Sequence, residues 1–227
     1  MLILRSESIA TAAAALAGRT GALLQEAVHA RGEASLLVPG GRTPVPLFRA
    51  LRDADVQWQH VAVGLTDERW VPSDNADSNA RLVRTELMCG GAAAAKFAPL
   101  FHDGHSVAQG ALLGWRALSA LRRPFDVVVL GMGEDGHIAS LFPGAPGVDA
   151  ALDVHAVPAC VPMRAPTVPH ERLSLNLAAL ADARHLFLLI AGESKLALIE
   201  DAGSRPPLPV DALLALPRPE PVVYWSP

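Results

Sequence analysis

One local pattern recurs along this chain and limits what it can fold into: a short apolar run, a polar or glycine-rich loop, then the start of a helix. ASLLV (34–38) leads into PGGRTP, and VAVGL (61–65) opens into TDERWVPSDNADSN. FDVVVL (125–130) runs into GMGEDGH, and HLFLLI (185–190) into AGESK. A strand as continuously hydrophobic as FDVVVL is the kind that helices bury on both faces. Strands alternating with helical segments predict an α/β fold with a mostly parallel sheet flanked by helices, because right-handed crossovers set helices on both faces. Ligands in such sheets sit at the carboxyl ends of the strands. Four loops occupy such ends: 39–44, 66–78, 131–137 and 191–195.

The helical segments carry their own signals. Ile9, Ala13, Leu16, Thr20, Leu23, Ala27 and Val28 recur at three- and four-residue steps, which puts them on one face of a first helix. Thr43 is placed to cap a helix beginning at Pro44, and Ser78 or Asn79 to cap one running through about Met88. A further helix follows GESK to about Ala202, and PVVYW reads as a final strand. Residues 142–170 hold prolines at 143, 146, 158, 162, 166 and 169, which exclude a long helix and predict an ordered excursion. There is no internal repeat, and 227 residues suit a single domain over 1–227.

Composition narrows the function classes. At 51% hydrophobic and 19% charged the chain is too apolar for disorder. Its net charge of −4 draws it neither to nucleic acid nor to an anionic membrane, so an anionic ligand needs a local cationic pocket. Cys89 and Cys160 lie far apart with no CxxC, which fits a reducing compartment and neither a disulfide framework nor a zinc knuckle. The N-terminus shows no signal-peptide pattern, and the apolar runs are far shorter than the roughly 18 residues of a membrane helix. A soluble, cytoplasmic protein is expected.

The loops hold the candidate chemistry. Gly40-Gly41-Arg42-Thr43-Pro44 is either a cradle whose backbone amides approach a phosphate or a tight turn into a capped helix, and its five residues alone do not separate the two. Asp67, Glu68 and Arg69 follow a strand directly and could combine proton transfer, hydroxyl binding and oxyanion stabilisation; the plain alternative is a solvated ion pair. Gly131-Met132-Gly133-Glu134-Asp135-Gly136-His137 matches GxGxxG in form, yet Pro143 arrives too soon for the long helix a dinucleotide site needs. What remains is a carboxylate and an imidazole two residues apart, in which Asp135 could fix the tautomer of His137; a structural histidine is the alternative. Arg172 in RLSLNL and Lys195 in GESK are single basic residues, each either a site cation or a surface charge. His102 and His105 in HDGH lack the further ligands a metal would require.

Taken together, GGRTP, TDERWVPSDNADSN, FDVVVLGMGEDGHIASLFPG, RLSLNL and GESK occur in the order and approximate spacing of the 6-phosphogluconolactonase family, which the chain resembles over nearly its whole length. The most specific piece is GMGEDGHIASLFPG. The glucosamine-6-phosphate deaminases of the same superfamily resemble it through the histidine but continue into Asn-Glu-Pro-Gly. Phe142 stands at the position of the deaminase glutamate that assists ring opening, which favours the lactonase over a deaminase or isomerase. A sugar-phosphate sensor, the other alternative, would carry an added DNA-binding segment for which there is no spare length.

The resemblance implies a Rossmann-like open sheet and hydrolysis of 6-phosphoglucono-1,5-lactone without metal or organic cofactor. It assigns His137 as general base, Asp135 as its orienting partner, Arg69 to the carbonyl oxygen and Asp67 to sugar hydroxyls or pocket charge. The phosphate falls to the amides of Gly40, Gly41 and Arg42, the Thr43 hydroxyl, Arg172 and Lys195. Pro39 and Arg42 replace the serines of the family's Ser-Gly-Gly-Ser-Thr-Pro pattern, so Arg42 either reaches the phosphate or points to solvent. The expected partner is the sugar-phosphate lactone, with no nucleic acid or membrane, in a monomer or weak homodimer.

Overall fold

A computed structural model describes residues 1–165 and 170–227. In chain order its elements are β1 (Leu2–Arg5), α1 (Ile9–Arg31), β2 (Ala34–Val38), α2 (Val45–Arg52), β3 (Val61–Leu65), β4 (Asp67–Arg69), α3 (Asn79–Glu86), β5 (Lys96–Ala98) and α4 (Val107–Ser119). There follow β6 (Phe125–Leu130), α5 (Val148–Ala151), β7 (Cys160–Arg164), β8 (Glu171–Leu175), α6 (Leu177–Ala181), β9 (Ala183–Ala191), α7 (Glu193–Glu200), α8 (Pro209–Leu214) and β10 (Val222–Ser226).

Seven strands form one sheet in the order β1-β10-β9-β6-β2-β3-β5, with every pair parallel. The continuous apolar runs are its centre: every residue of β2 and β6 is buried, with Leu36 opposite Val127 and Leu37 opposite Val128. Helix α1 covers β2, β6, β9 and β10 with the predicted face, on which Ala13, Leu16, Thr20, Leu23, Ala27 and Val28 are buried. From β2 the chain winds outward through β3 to β5, then returns to place β6 on the other side of β2 and winds outward again. The loops after β2 and β6 therefore diverge from adjacent strand ends, the switch point at which a crevice opens in such sheets.

A second sheet was not anticipated. Strands β4, β8 and β7 pair antiparallel in that order, so residues 67–69 of the expected 66–78 loop are strand. The proline-rich excursion also supplies β7. Pro162 is tolerated there because β7 lies at the edge, where one row of amides needs no partner. Pro166 and Pro169 lie outside the described residues. The start of α2 differs as well: Pro44 itself takes the cap position with near-helical dihedrals, and no side chain among the described residues caps the helix. Thr43 is thereby left free of the capping role expected for it. Ser78 does cap α3, accepting from the Arg81 amide at 3.2 Å. No helix among the described residues is long and apolar enough to cross a membrane.

Candidate active site

At the switch point a pocket of about 220 Å³ draws its walls from several parts of the fold, Asn79 at the start of α3 among them. Gly40, Gly41 and Thr43 come from the loop after β2, Asp67 and Arg69 from β4, Gly133, His137 and Ala139 from the segment after β6, Arg172 from β8 and Lys195 from the first turn of α7. Two expected residues are not on the wall. Arg42 is exposed, and Asp135 stands behind His137 rather than in the pocket.

The Asp135 carboxylate lies 2.6 Å from His137 Nδ1 and also accepts from the His137 amide at 3.2 Å. An Nδ1 proton given to Asp135 leaves Nε2 as the acceptor nitrogen of the ring. The imidazole also packs on Phe142 with ring centroids 4.2 Å apart. Gly133 is required here: a Cβ on it would stand 2.2 Å from His137 Cε1 and Nδ1 and 2.7 Å from Asp135 Oδ1. The next wall residue, Ala139, has φ 48°, a left-handed conformation that costs a residue with a side chain some strain. No long helix follows Gly136; bridges of Ile138 to Met132 and Leu141 fold the segment back on itself.

Strand alternation separates the three residues of Asp67-Glu68-Arg69. Successive side chains point to opposite faces, so Asp67 and Arg69 share the pocket and Glu68 turns inward. Buried Glu68 accepts from the amides of Asn79 at 2.7 Å, Arg69 at 2.8 Å and Ala80 at 2.8 Å, and from the Ser78 hydroxyl at 3.1 Å. It anchors the start of α3 from inside the fold and does not line the pocket. Burial pushes its carboxyl above the usual range, while the three amides draw it back.

The antiparallel register sets Arg69 directly opposite Arg172. Like charges facing across a ladder destabilise it unless something anionic intervenes. Arg69 donates to the Asp77 carbonyl at 2.6 Å, and Arg172 Nη1 lies 3.5 Å from Ser140 Oγ with its guanidinium over the Phe142 ring. The Nε of each is buried and has no partner among the described residues. Burial lowers the Arg172 pKa, with Asp67 opposing and Arg69 adding to the fall. Lys195 extends its ammonium from α7 to 3.5 Å from Glu134 Oε1. Three cations and one carboxylate thus line the pocket of a chain whose net charge is −4.

Residues missed from the sequence complete the frame. Asn79 donates to the Asp67 carbonyl at 2.9 Å, and its side chain fills the space a Cβ on Gly40 would need. Buried Ser140 donates to Asp67 Oδ2 at 2.6 Å. The sequence marks Asn79 only as a possible cap, and a serine within IASLF gives no local sign of which carboxylate it will meet. No group of three or more His, Cys, Asp or Glu among the described residues could hold a metal ion.

A family model described as glucosamine-6-phosphate isomerases/6-phosphogluconolactonase matches residues 7–222. The chain belongs to that family. Within the family it is 44% identical over 223 residues to a 6-phosphogluconolactonase of Pseudomonas aeruginosa, covering 97% of this chain and 92% of that one. A crystal structure of a 6-phosphogluconolactonase from Shewanella baltica superposes with a TM-score of 0.93 at 39% identity, covering 100% of this chain and 98% of that one. A monomeric glucosamine-6-phosphate deaminase shares the fold at 18% identity, with a TM-score of 0.80 and coverage of 100% and 97%. A lactonase and a deaminase are thus built on the frame that this chain adopts.

Proposed function

We propose that this chain hydrolyses 6-phospho-D-glucono-1,5-lactone to 6-phospho-D-gluconate, the reaction of the oxidative pentose phosphate pathway, on one domain spanning 1–227. The observation that carries the reading is His137, held by Asp135 at 2.6 Å, on the wall of a pocket that also presents Arg69, Arg172 and Lys195. The reaction needs a base for water and a positive surround for an anionic substrate, and both are present in one 220 Å³ space.

His137 Nε2 takes a proton from water as its oxygen bonds to the lactone carbonyl carbon. Arg69 faces the oxyanion of the tetrahedral intermediate, where a preformed charge gains most as negative charge develops. Collapse breaks the bond to the ring oxygen, and the imidazolium returns its proton there. Asp135 holds the ring in the tautomer that both transfers use. Asp67 binds sugar hydroxyls. The phosphate rests on the amides of Gly40, Gly41 and Arg42, the Thr43 hydroxyl, Arg172 and Lys195, through charge-assisted bonds. Buried Phe142 packs on both His137 and Arg172 and provides no carboxyl for ring opening, which argues against deaminase or isomerase chemistry. We read the enzyme as cytoplasmic, a monomer or weak homodimer that binds no nucleic acid.

The test is pH-stat hydrolysis of freshly generated 6-phosphoglucono-1,5-lactone, corrected for spontaneous opening. His137→Ala is expected to lower turnover by about two to four orders of magnitude. No acceleration by folded wild-type protein would end the lactonase reading, and a fully active variant would remove His137 from the mechanism.

A further inference from the structure

Lys195 has a resident competitor. Its side chain is only 13% exposed, and the Glu134 carboxylate stands 3.5 Å from the ammonium. A second contact holds that carboxylate in place: Ser194 donates to Glu134 Oε2 at 2.8 Å. Glu134 belongs to the turn that carries Asp135 and His137, whereas Ser194 and Lys195 lie in the first turn of α7, so the contact bridges the histidine segment and the cation. Glu134 itself is not on the pocket wall.

A mostly enclosed ammonium with no counter-ion is unfavourable, so an empty pocket needs an anion nearby. We propose that Glu134 is this anion, an intramolecular competitor that holds Lys195 while the pocket is empty and sets the affinity of the phosphate site when it is filled. The inference rests on the phosphate role proposed for Lys195. A phosphate dianion outweighs a single carboxylate for the lysine, but part of its attraction is spent on displacing or opposing Glu134. Substrate and product both carry the phosphate, so the competitor weakens both and favours release of the product. Glu134 therefore tunes the affinity of the phosphate site through Lys195 and touches no reacting atom.

A purely structural staple and a competitor predict opposite signs. If Glu134 only ties the turn to α7, Glu134→Gln loosens the site and weakens phosphate binding. If it competes, Glu134→Gln tightens it. The probe is inorganic phosphate at pH 8, read as the Ki for competitive inhibition of lactone hydrolysis and as a calorimetric Kd. In Glu134→Gln, Ki, Kd and the KM for the lactone are expected to fall by about two- to five-fold, the range set by a partly exposed ion pair. Ser194→Ala, which frees the carboxylate, should move Ki in the same direction by less. The gain should vanish when Glu134→Gln is combined with Lys195→Ala. An unchanged or raised Ki in Glu134→Gln overturns the inference, as does a gain that persists without Lys195. If Lys195→Ala alone binds phosphate as tightly as the parent, the phosphate assignment of Lys195 fails, and this outcome is distinct from the first.

Discussion

From a position sealed off from solvent, the Ser140 hydroxyl donates to Asp67 Oδ2 at 2.6 Å. The Ser140 amide donates to Ser174 Oγ at 3.1 Å, and Arg172 Nη1 approaches the same hydroxyl at 3.5 Å. One small side chain therefore joins the segment carrying His137 to the two strands carrying Asp67 and Arg172. Ser140→Ala removes the donor to a buried carboxylate, and the expected loss of stability is about 1–3 kcal/mol. Urea unfolding of the variant against the parent measures it. Steady-state kinetics should show kcat/KM falling as well, and equal stability and kinetics would mean that Ser140 merely fills space.

Gly133→Ala is expected to abolish most of the activity while the protein still melts cooperatively. The added methyl would stand 2.2 Å from the His137 ring, so the ring or the turn must move. The sheet strand β6 ends before this turn, which leaves the core untouched. Turnover should drop by roughly two to four orders of magnitude, as for loss of the general base itself. Activity within a few-fold of the parent would show that the catalytic nitrogen tolerates displacement.

Glu68→Gln should damage the fold more than the pocket. All four hydrogens that reach Glu68 are donated to it, and an amide must turn its own NH₂ toward at least some of them. The expected cost is about 1–3 kcal/mol, measured by urea unfolding. Amide exchange at Asn79 and Ala80 should rise with it. A variant with unchanged stability would show that the start of α3 does not depend on this carboxylate.

The contrast between Glu68 and its neighbours marks what could be read in advance. The main sheet was legible because β2, β3, β6 and β9 are apolar on both faces, and a run such as FDVVVL has few other places to go. The loops of the site were legible because glycines and charges sit where those strands end. Strands β4, β7 and β8 were not, because they are short, carry charges or Pro162, and pair across long distances in sequence, Asp67 with Ser174 for example. Without that pairing the alternation that divides Asp67 and Arg69 from Glu68 is invisible. Helix α4 is a different case: Ser106 and Gln109 form a capping box, which their three-residue spacing specifies locally. Arg42 stands in a phosphate-like sequence yet its side chain is exposed, since a motif specifies backbone shape more closely than side-chain direction.

Cys160 provides a pH test of the packing beneath the site. Burial, aided by the Asp67 charge, pushes its thiol up to about 12 from an ordinary 9.0. Between those values the unfolded chain has lost this proton while the folded chain keeps it. The folded state then binds more protons, so stability falls as pH rises through the window, by at most about 1.4 kcal/mol per pH unit from this group. Cys160→Ala lacks the titration, so its stability should fall less steeply between pH 9 and 11 even if it starts lower because of the lost sulfur volume. Guanidinium unfolding of both proteins at pH 8, 9.5 and 11 gives the two slopes. Parallel slopes would mean that the thiol ionises in the folded state as easily as in the unfolded one, and that strand β7 does not seal it from water.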